Sequence, residues 1–237
     1  MQEITEDDEV KGLYWVTING RRFLATKNLA PGISVYGERT LKRGSEEYRI
    51  WDPYRSKLAA AIFKGLSFMP IGQGSRVLYL GASTGTTVSH VSDIVGSSGV
   101  VFAVEVSHRV ARELVEHVAK HRRNVIPIVE DARNYSKYGV VYGKIDVVYS
   151  DIAQPDQTEI ALGNCRRYLS PRGYLMLVVK SRSIDVVKEP EVVIRAEQER
   201  IKEAGLDIVQ SLLSLEPYDR DHGFILSRMQ TTKDSSS

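Results

Sequence analysis

Short apolar runs rich in β-branched residues alternate with amphipathic segments through the last two thirds of the chain. The runs lie at residues 76–80, 100–104, 125–129, 145–149 and 174–179. Apolar positions with helical spacing fill the intervals, most clearly at residues 88–95, 109–121, 158–168 and 193–204. Because strands buried on both faces alternate with helices in parallel sheets, this rhythm predicts an α/β fold with a doubly wound sheet. Two more strands are expected, at residues 206–213 and 223–228.

The first fifth of the chain has a different pattern. Aromatic and β-branched residues flank Asn19-Gly20, and this dipeptide between two such runs predicts a β-hairpin over residues 13–25. A further β-like piece is expected at residues 34–36, and an alanine-rich helix at residues 56–62. The chain is therefore divided into a small β-rich N-terminal domain, a larger α/β domain and a polar, disordered tail, at residues 1–52, 53–230 and 231–237.

Composition narrows the class of protein. The 237 residues are 42% apolar, which suffices for a substantial core. No run approaches the roughly 18 uninterrupted apolar residues of a membrane span, and the acidic start is unlike a secretory signal, so we expect a soluble intracellular protein without a membrane partner. A net charge of +2 is too mild to indicate nucleic-acid binding by itself. The only cysteine, Cys165, excludes an intrachain disulfide and a multi-cysteine metal site, and is expected in the core.

A glycine-containing loop follows the first strand of the α/β domain and leads into a helix. Residues 80–87 read Leu-Gly-Ala-Ser-Thr-Gly-Thr-Thr, so helix-terminal amides and threonine hydroxyls can face an anion. The expected contacts are Gly81, Ala82, Thr86 and Thr87. A phosphate and a methionine carboxylate both fit. The loop has no lysine of the G-x-x-x-x-G-K-[ST] kind and does not match G-x-G-x-x-G, which argues against a nucleoside triphosphate and a simple NAD site.

Acidic residues follow the next two strands. Glu105 ends the second strand, where a carboxylate can accept hydrogen bonds from both hydroxyls of a ribose. Asp131 follows the third strand, where it can accept from the amino group of adenine. Together with the loop, these two acids favour S-adenosylmethionine as the cofactor. The alternative is that both are ordinary solvated carboxylates.

The fourth and fifth strands also end in residues that can carry chemistry. Asp151 follows one strand and Lys180 closes the other, which is otherwise wholly apolar. Ligands and reacting groups collect at the carboxyl ends of strands in open α/β sheets. The two residues are therefore candidates for catalysis, and a purely structural ion pair is the alternative.

Several segments resemble the fibrillarin family of box C/D guide-RNA ribose 2′-O-methyltransferases, in its short archaeal form. The resemblance runs from about residue 10 to residue 229 and rests on LATKNL at 24–29, VYGE at 35–38, YRIWDPYRSKLAAA at 48–61, ASTGTT at 82–87, SDIAQP at 150–155 and EPYDRDH at 216–222. It implies a seven-stranded S-adenosylmethionine methyltransferase fold, Rossmann-like, behind the small N-terminal domain. It also implies methylation of pre-rRNA and possibly tRNA.

The resemblance assigns roles residue by residue. The implied catalytic set is Lys57, Asp151, Lys180 and His222. The implied contacts to S-adenosylmethionine are Thr86, Thr87, Glu105, Val106, Asp131, Ala132, Asp151, Ile152, Ala153 and Gln154. Small departures from the family pattern occur at Ser83-Thr84 and Gly223.

Two lysines around one carboxylate suit the implied reaction. A ribose hydroxyl must lose its proton as the methyl group is transferred. We assign Lys180 as the base, with Asp151 and Lys57 positioning it and the substrate. His222 would place the 2′-hydroxyl or the phosphate, with a packing role as the alternative. The remaining histidines fall in helical stretches and are expected at the surface: His90, His108, His117 and His121.

The resemblance also implies partners. These are a Nop-domain scaffold protein, a kink-turn-binding ribosomal-type protein, and a box C/D guide RNA whose pairing selects the target RNA. The Gly/Arg-rich region of the eukaryotic nucleolar form is missing, which implies a cytoplasmic protein. A base or protein methyltransferase on the same fold and a non-catalytic assembly module are the competing hypotheses. The two lysines argue against the first, and the intact loop and Lys180 argue against the second.

Overall fold

The computed structural model describes residues 2–230. The tail predicted at residues 231–237 lies outside the described residues. The predicted domain boundary at residues 52–53 lies between the end of the last N-terminal strand at Ile50 and the start of the first helix at Lys57.

The N-terminal sheet is antiparallel and has five strands in the order β1-β2-β3-β5-β4. They are β1 (Gln2–Glu6), β2 (Leu13–Ile18), β3 (Arg21–Lys27), β4 (Thr40–Arg43) and β5 (Glu46–Ile50). Asn19 and Gly20 join β2 to β3, both with positive φ, as the tight turn of a hairpin requires. The hairpin prediction is confirmed.

The β-like piece expected at residues 34–36 is wrong. No strand forms there, because the amides of Val35 and Tyr36 donate to the carboxylate of Glu38 instead of to a neighbouring strand. The chain forms another hairpin later, from β4 and β5. Residues 34–38 are thus a loop organised by one acidic side chain.

The α/β sheet has seven strands in the order β11-β12-β10-β9-β6-β7-β8. They are β6 (Arg76–Leu80), β7 (Val100–Glu105), β8 (Val125–Val129), β9 (Ile145–Ser150), β10 (Leu169–Lys180), β11 (Leu206–Leu212) and β12 (His222–Met229). The five strands from β10 to β8 are parallel to one another, and β12 is antiparallel to both of its neighbours. The predicted α/β, seven-stranded fold with a separate β-rich N-terminal sheet is confirmed.

Helices cover the sheet between the strands. They are α1 (Lys57–Phe63), α2 (Thr86–Val95), α3 (His108–Leu114), α4 (Gln157–Tyr168), α5 (Ser181–Ile184) and α6 (Pro190–Glu203). A π-helical turn extends α3 through Ala119, and a 3₁₀ segment spans Ala132–Lys137. Within residues 2–230, no helix combines the length and apolar character needed to cross a bilayer.

Alternate side chains of the central strands enter two separate cores. On β6, Val77 and Tyr79 join one cluster, whereas Leu78 and Leu80 join the other. The first cluster includes residues of α1, α2 and the N-terminal sheet, and the second includes residues of α4 and α6. Cys165 lies in the second cluster, 1% exposed, as predicted. This burial on both faces explains why the strands read as continuous apolar runs.

A buried ionic network joins the two sheets. Arg49 of β5 donates to Asp93 of α2 at 2.7 Å and to Glu38 at 2.6 Å, and all three side chains are almost wholly buried. His90 of α2 lies in the same contact, stacked on the indole of Trp51 with 4.8 Å between ring centroids. The prediction of a surface position is therefore wrong for His90, because the N-terminal sheet covers the helix face that carries it. His108, His117 and His121 are exposed as expected.

Candidate active site

The predicted site residues all lie along one edge of the seven-stranded sheet, the edge formed by the carboxyl ends of its parallel strands. They follow the carboxyl ends of β6, β7, β8 and β9, close β10, or begin the antiparallel β12. Lys57, the first residue of α1, reaches the same edge. A cavity of about 210 Å³ opens there, lined by Arg55, Lys57, Tyr79, Gly81, Ala82, Ser83, Thr86, Thr87, Asp151 and Lys180.

Gly81 is the point at which the loop after β6 passes closest to the loop after β9. Its φ is 81°, in the left-handed region that favours glycine. A Cβ at this position would lie 2.8 Å from the backbone oxygen of Asp151. Glycine is therefore required for two reasons, the backbone conformation and the close approach.

Asp151 lies between two lysines. Lys180 Nζ lies 2.8 Å from Asp151 Oδ1 and donates to the backbone oxygen of Asp151, also at 2.8 Å. Lys57 Nζ lies 3.5 Å from the same Oδ1. All three side chains are only 15–22% exposed, so the charges interact with little screening by water. Parallel pairing of β9 with β10 sets this arrangement.

His222 joins the cluster through a residue that sequence reasoning did not select. It is paired with Lys180 across β12 and β10, and its Nδ1 lies 2.9 Å from Asp219 Oδ1. Asp219 Oδ2 lies 3.5 Å from Lys57 Nζ. Asp219 thus bridges His222 and Lys57. Its only signal in the sequence was its place in the segment EPYDRDH, three residues before the histidine.

The charges around Asp219 decide its ionisation. Partial burial by itself would raise the pKa of Asp219, but the hydrogen bond and charge of His222, together with Lys57, hold it below the ordinary value. Asp219 is therefore an anion, and it can orient both neighbours at neutral pH.

Two tyrosines lie beneath the cluster. The rings of Tyr79 and Tyr149 are stacked with centroids 4.5 Å apart, and both are buried. Burial raises the pKa of both hydroxyls well above the ordinary value, with Asp151 adding to the effect at Tyr79 and the neighbouring Tyr79 at Tyr149. These phenols remain protonated, so neither serves as a base.

The loop after β6 is held against the acid predicted to bind ribose. Glu105 accepts from the backbone N–H of Ser83 through Oε2 and from that of Ser107 through Oε1, both at 2.9 Å. Ser83 has a positive φ of 51°, which is uncommon for a residue other than glycine. Val106, next to the acid, is 61% exposed. These contacts orient the Glu105 carboxylate beside the loop, and sequence reasoning identified neither serine partner.

The two threonines at the start of α2 differ in how accessible their hydroxyl groups are to a ligand. No side chain caps this helix, whose N-cap is Gly85 with a φ of 96°. Thr86 is half-buried and lines the cavity. Thr87 is buried, and its hydroxyl donates to Ser56 Oγ at 2.9 Å. Thr87 therefore ties α2 to α1, and it can meet a ligand through its backbone N–H.

Asp131 and the segment after β9 are connected by a residue that the sequence did not single out. Arg133 lies 3.3 Å from Asp131 Oδ2 and 2.7 Å from Asp156 Oδ1, and it donates to Gln154 at 3.2 Å. Asp131 also accepts from the amide of Arg133 as the N-cap of the 3₁₀ segment that begins at Ala132. Ile152 is half-buried, whereas Ala153 and Gln154 are exposed. Arg133 thus holds together two loops that carry implied cofactor contacts, Asp131 and Gln154.

Comparison with known proteins decides the family. The family model described as Fibrillarin matches residues 4–231. The chain belongs to the fibrillarin family. Two curated family members are each named fibrillarin-like rRNA/tRNA 2′-O-methyltransferase. The one from Sulfolobus acidocaldarius is 52% identical, over 88% of this chain and 89% of its own length. The one from Methanopyrus kandleri is 47% identical, over 93% and 94%.

Solved fibrillarins have the same fold. The Methanococcus jannaschii fibrillarin, a pre-rRNA processing protein, matches with a TM-score of 0.92 and 42% identity, covering 98% of this chain and 99% of that one. Aeropyrum pernix fibrillarin, in complex with natively bound S-adenosyl-L-methionine, has a TM-score of 0.88 and 44% identity over 95% and 97%. The fibrillarin of a fibrillarin/Nop5p complex has a TM-score of 0.80 and 39% identity over 95% and 100%. The individual roles of the site residues stay predictions.

Proposed function

We propose that this fibrillarin-family chain is an S-adenosylmethionine-dependent RNA ribose 2′-O-methyltransferase that acts on rRNA and tRNA. The observation that carries the proposal is the cluster of Lys57, Asp151 and Lys180 at the same sheet edge as the glycine loop and Glu105. The names of the curated relatives and the cofactor bound in the Aeropyrum pernix protein agree with it.

The residues at the sheet edge fit S-adenosylmethionine. The uncapped start of α2 offers amides to a carboxylate. In the proposed complex Glu105, at the end of β7, accepts from ribose hydroxyls, and Asp131, after β8, accepts from adenine. The cofactor, when bound, supplies a methyl group on a sulfonium.

The lysine cluster supplies the proton acceptor. Lys57 faces two carboxylates, Asp151 and Asp219, whereas Lys180 faces Asp151, so Lys180 is assigned as the proton acceptor. In the proposed mechanism Lys180 takes the 2′-hydroxyl proton as the ribose oxygen attacks the methyl carbon, whose bond to the sulfonium sulfur breaks so that S-adenosylhomocysteine leaves. Lys57, whose Nζ lies 3.5 Å from Asp219 Oδ2, holds the substrate. The proton then leaves Lys180 to water.

The position of His222 fits a role in placing the substrate. Its Nδ1 donates to the backbone oxygen of Arg220 and lies 2.9 Å from Asp219 Oδ1, and the ring is about one-fifth exposed. The other ring nitrogen is thereby available to a hydroxyl or phosphate oxygen of the RNA.

The proposed partners are one scaffold protein that a solved complex supports and two further components of the assembly. A Nop-domain scaffold protein is supported by the solved fibrillarin/Nop5p complex, whose fibrillarin matches this chain over 95% of its length. A kink-turn-binding protein and a box C/D guide RNA that pairs with the target complete the proposed assembly. The mild net charge of +2 fits an enzyme that relies on such partners to hold RNA.

Replacing Lys180 by Ala tests the proposal. Methyl transfer to a guide-paired RNA in the reconstituted complex should fall by a factor on the order of 10² or more, because base catalysis is lost. S-Adenosylmethionine should still stabilise the variant, by about 2.7 kcal/mol at 100 times the dissociation constant. Lys188→Ala, which changes an exposed lysine, is the matched control. Full activity of Lys180→Ala would exclude Lys180 as the base.

A further inference from the structure

The carboxyl end of β10 is held by a buried glutamine that belongs to another element. Gln157 is the first residue of α4, and it is 0% exposed. Its Oε1 accepts from the backbone N–H of Lys180 at 3.1 Å, and its Nε2 donates to the backbone oxygen of Lys180 at 3.4 Å. Nε2 also donates to the backbone oxygen of Gln154 at 3.1 Å. One side-chain amide thus contacts both backbone polar groups of Lys180.

The positions of the neighbouring strands explain why Lys180 needs such a partner. In an antiparallel pair, the backbone groups of successive residues point alternately toward the partner strand and away from it. Ser181 donates its N–H to the backbone oxygen of Asp221 on the side of β12, so Lys180 directs its own N–H and C=O to the side of β9. Within residues 2–230, the pairing of β10 with β9 ends at Leu177. Gln157 therefore supplies the hydrogen bonds that a longer β9 would have made.

The backbone of Lys180 determines where its side chain can reach. Nζ lies 2.8 Å from Asp151 Oδ1 and 2.8 Å from the backbone oxygen of the same residue. Asp151 and Gln154 both lie in the loop between β9 and α4, so Gln157 connects the two segments whose spacing sets this contact. A misplacement of about 1 Å at a reacting group can lower a rate on the order of 10²-fold. The hydrogen bonds of Gln157 therefore bear on the rate of proton transfer.

We propose that Gln157 is a positioning residue for methyl transfer, which fixes the backbone of Lys180 so that the amine faces the 2′-hydroxyl. This inference rests on the proposed function for the role of Lys180 as the proton acceptor. Gln157 acts through Lys180 and does not touch the substrate, since it is fully buried. Cofactor binding does not depend on its side chain, because its backbone N–H also donates to the oxygen of Gln154, at 3.2 Å.

The test is Gln157→Leu, which keeps a similar side-chain volume and removes the amide. In the reconstituted complex with guide-paired RNA, kcat should fall on the order of 10- to 100-fold, because the backbone of Lys180 loses both contacts. The KM for target RNA and the dissociation constant of S-adenosylmethionine should each stay within about twofold. Gln157→Asn, which keeps the amide but lacks one methylene, should also lower kcat, and it is the milder variant if Gln157→Leu folds poorly.

Asn124→Leu is the matched control, because this buried side chain also makes three hydrogen bonds. Its Nδ2 donates to the backbone oxygens of Ser92 and Gly96, and its Oδ1 accepts from Ser92 Oγ. It directly precedes β8, at the opposite edge of the sheet from Lys180. Asn124→Leu should lower stability in urea by a comparable amount, while kcat stays within about twofold. Equal losses of kcat in Asn124→Leu and Gln157→Leu would reflect lost stability only and would overturn the inference.

A double-mutant cycle with Lys180→Ala shows whether Gln157 acts through Lys180. If it does, adding Gln157→Leu to Lys180→Ala should change the residual single-turnover rate by less than about twofold, since the amine that Gln157 positions is already gone. A further fall of about tenfold in the double variant would mean that Gln157 acts on the fold or on the cofactor loop, and the inference would be wrong. An unchanged kcat in both Gln157→Leu and Gln157→Asn would overturn it as well.

The same assays separate this inference from the proposed function. If the wild type transfers no methyl group to guide-paired RNA, the proposed function fails and the inference fails with it. If Lys180→Ala is fully active, the assignment of the base is wrong and Gln157 has no amine to position. If the wild type and Lys180→Ala behave as proposed but the losses of Gln157→Leu and Lys180→Ala add, only the inference about Gln157 fails.

Discussion

At the scale of single residues, Asp219 shows how a site can depend on a side chain that carries no chemistry of its own. It is an anion held between His222 at 2.9 Å and Lys57 at 3.5 Å. Removing its charge leaves Lys57 and His222 without a common partner, and each side chain then gains freedom to rotate away from the substrate.

Asp219→Asn should therefore lower kcat for methyl transfer on the order of 10- to 100-fold, while the affinity for S-adenosylmethionine stays the same. Asp221→Asn is the control, since Asp221 lies two residues away and pairs only with exposed Arg182 among the described residues. Equal kinetics for the two variants would show that Asp219 has no positioning role.

At the scale of secondary-structure elements, the active site depends on how closely the loops at the sheet edge approach one another. Gly81 turns the loop after β6, and its Cα faces the backbone oxygen of Asp151. Parallel pairing of β6 with β9 brings these loops together, with Leu80 opposite Ser150. The position of Asp151 thus depends partly on the absence of a side chain at Gly81, in the loop after the neighbouring strand β6.

Gly81→Ala should destabilise the protein by about 1–3 kcal/mol and weaken cofactor binding, because the new Cβ must displace the loop that carries Asp151. Gly205→Ala is matched in backbone strain, with a φ of 83°, but its Cβ would meet no atom within 4 Å. Denaturant unfolding and calorimetric titration with S-adenosylmethionine measure both effects. A similar loss in the two variants would mean that φ alone matters and that the contact with Asp151 does not.

At the scale of the whole molecule, buried charged side chains join the N-terminal sheet to α2, which packs on the larger sheet. Arg49 lowers the pKa of Glu38 to about 2, although burial alone would raise it. His90 lies in the same contact, within 2.8 Å of Thr26 Oγ1 and of the Tyr36 hydroxyl. Thr26 donates to Asp93, so Nδ1 of His90 donates to Thr26. The Tyr36 hydroxyl, near the other ring nitrogen, also donates to the backbone oxygen of Ile50 at 3.2 Å. Burial of the ring favours the neutral imidazole.

Stability should therefore fall as the pH drops below about 6.5. Burial, followed by the charges of Arg49 and Arg122, holds the pKa of His90 well below its ordinary value. The unfolded chain then binds a proton at His90 that the folded chain does not, and the free energy of unfolding decreases by up to about 1.4 kcal/mol per pH unit between pH 6.5 and 5.

Urea unfolding over this pH range measures the slope. His90→Gln should flatten it, and His121→Gln, which changes an exposed histidine, should not. Because His90→Gln also loses packing, a histidine NMR titration of the wild type provides a second measurement. Protonation of folded His90 near pH 6.5 would contradict the prediction.

Local pattern determined much of this molecule. Asn19-Gly20 predicted the hairpin of β2 and β3, because its positive φ values suit a tight turn. The apolar runs predicted the strands of the larger sheet, because both faces of that sheet are buried. The loop at residues 80–87 and the strand-end residues Glu105, Asp151 and Lys180 indicated the site edge, since parallel strands end on one side. The family resemblance added Lys57 and His222.

Other features depended on contacts between distant residues, which a local pattern cannot express. His90 is buried because the N-terminal sheet covers α2. Residues 34–38 form a loop because backbone amides that could have paired with a strand donate to the carboxylate of Glu38 instead. Asp219 and Arg133 matter only because folding brings their partners within hydrogen-bond reach. The sequence by itself determined the elements and the edge where chemistry takes place. Tertiary structure decided which charges face each other there, because electrostatic interactions depend on distance in space.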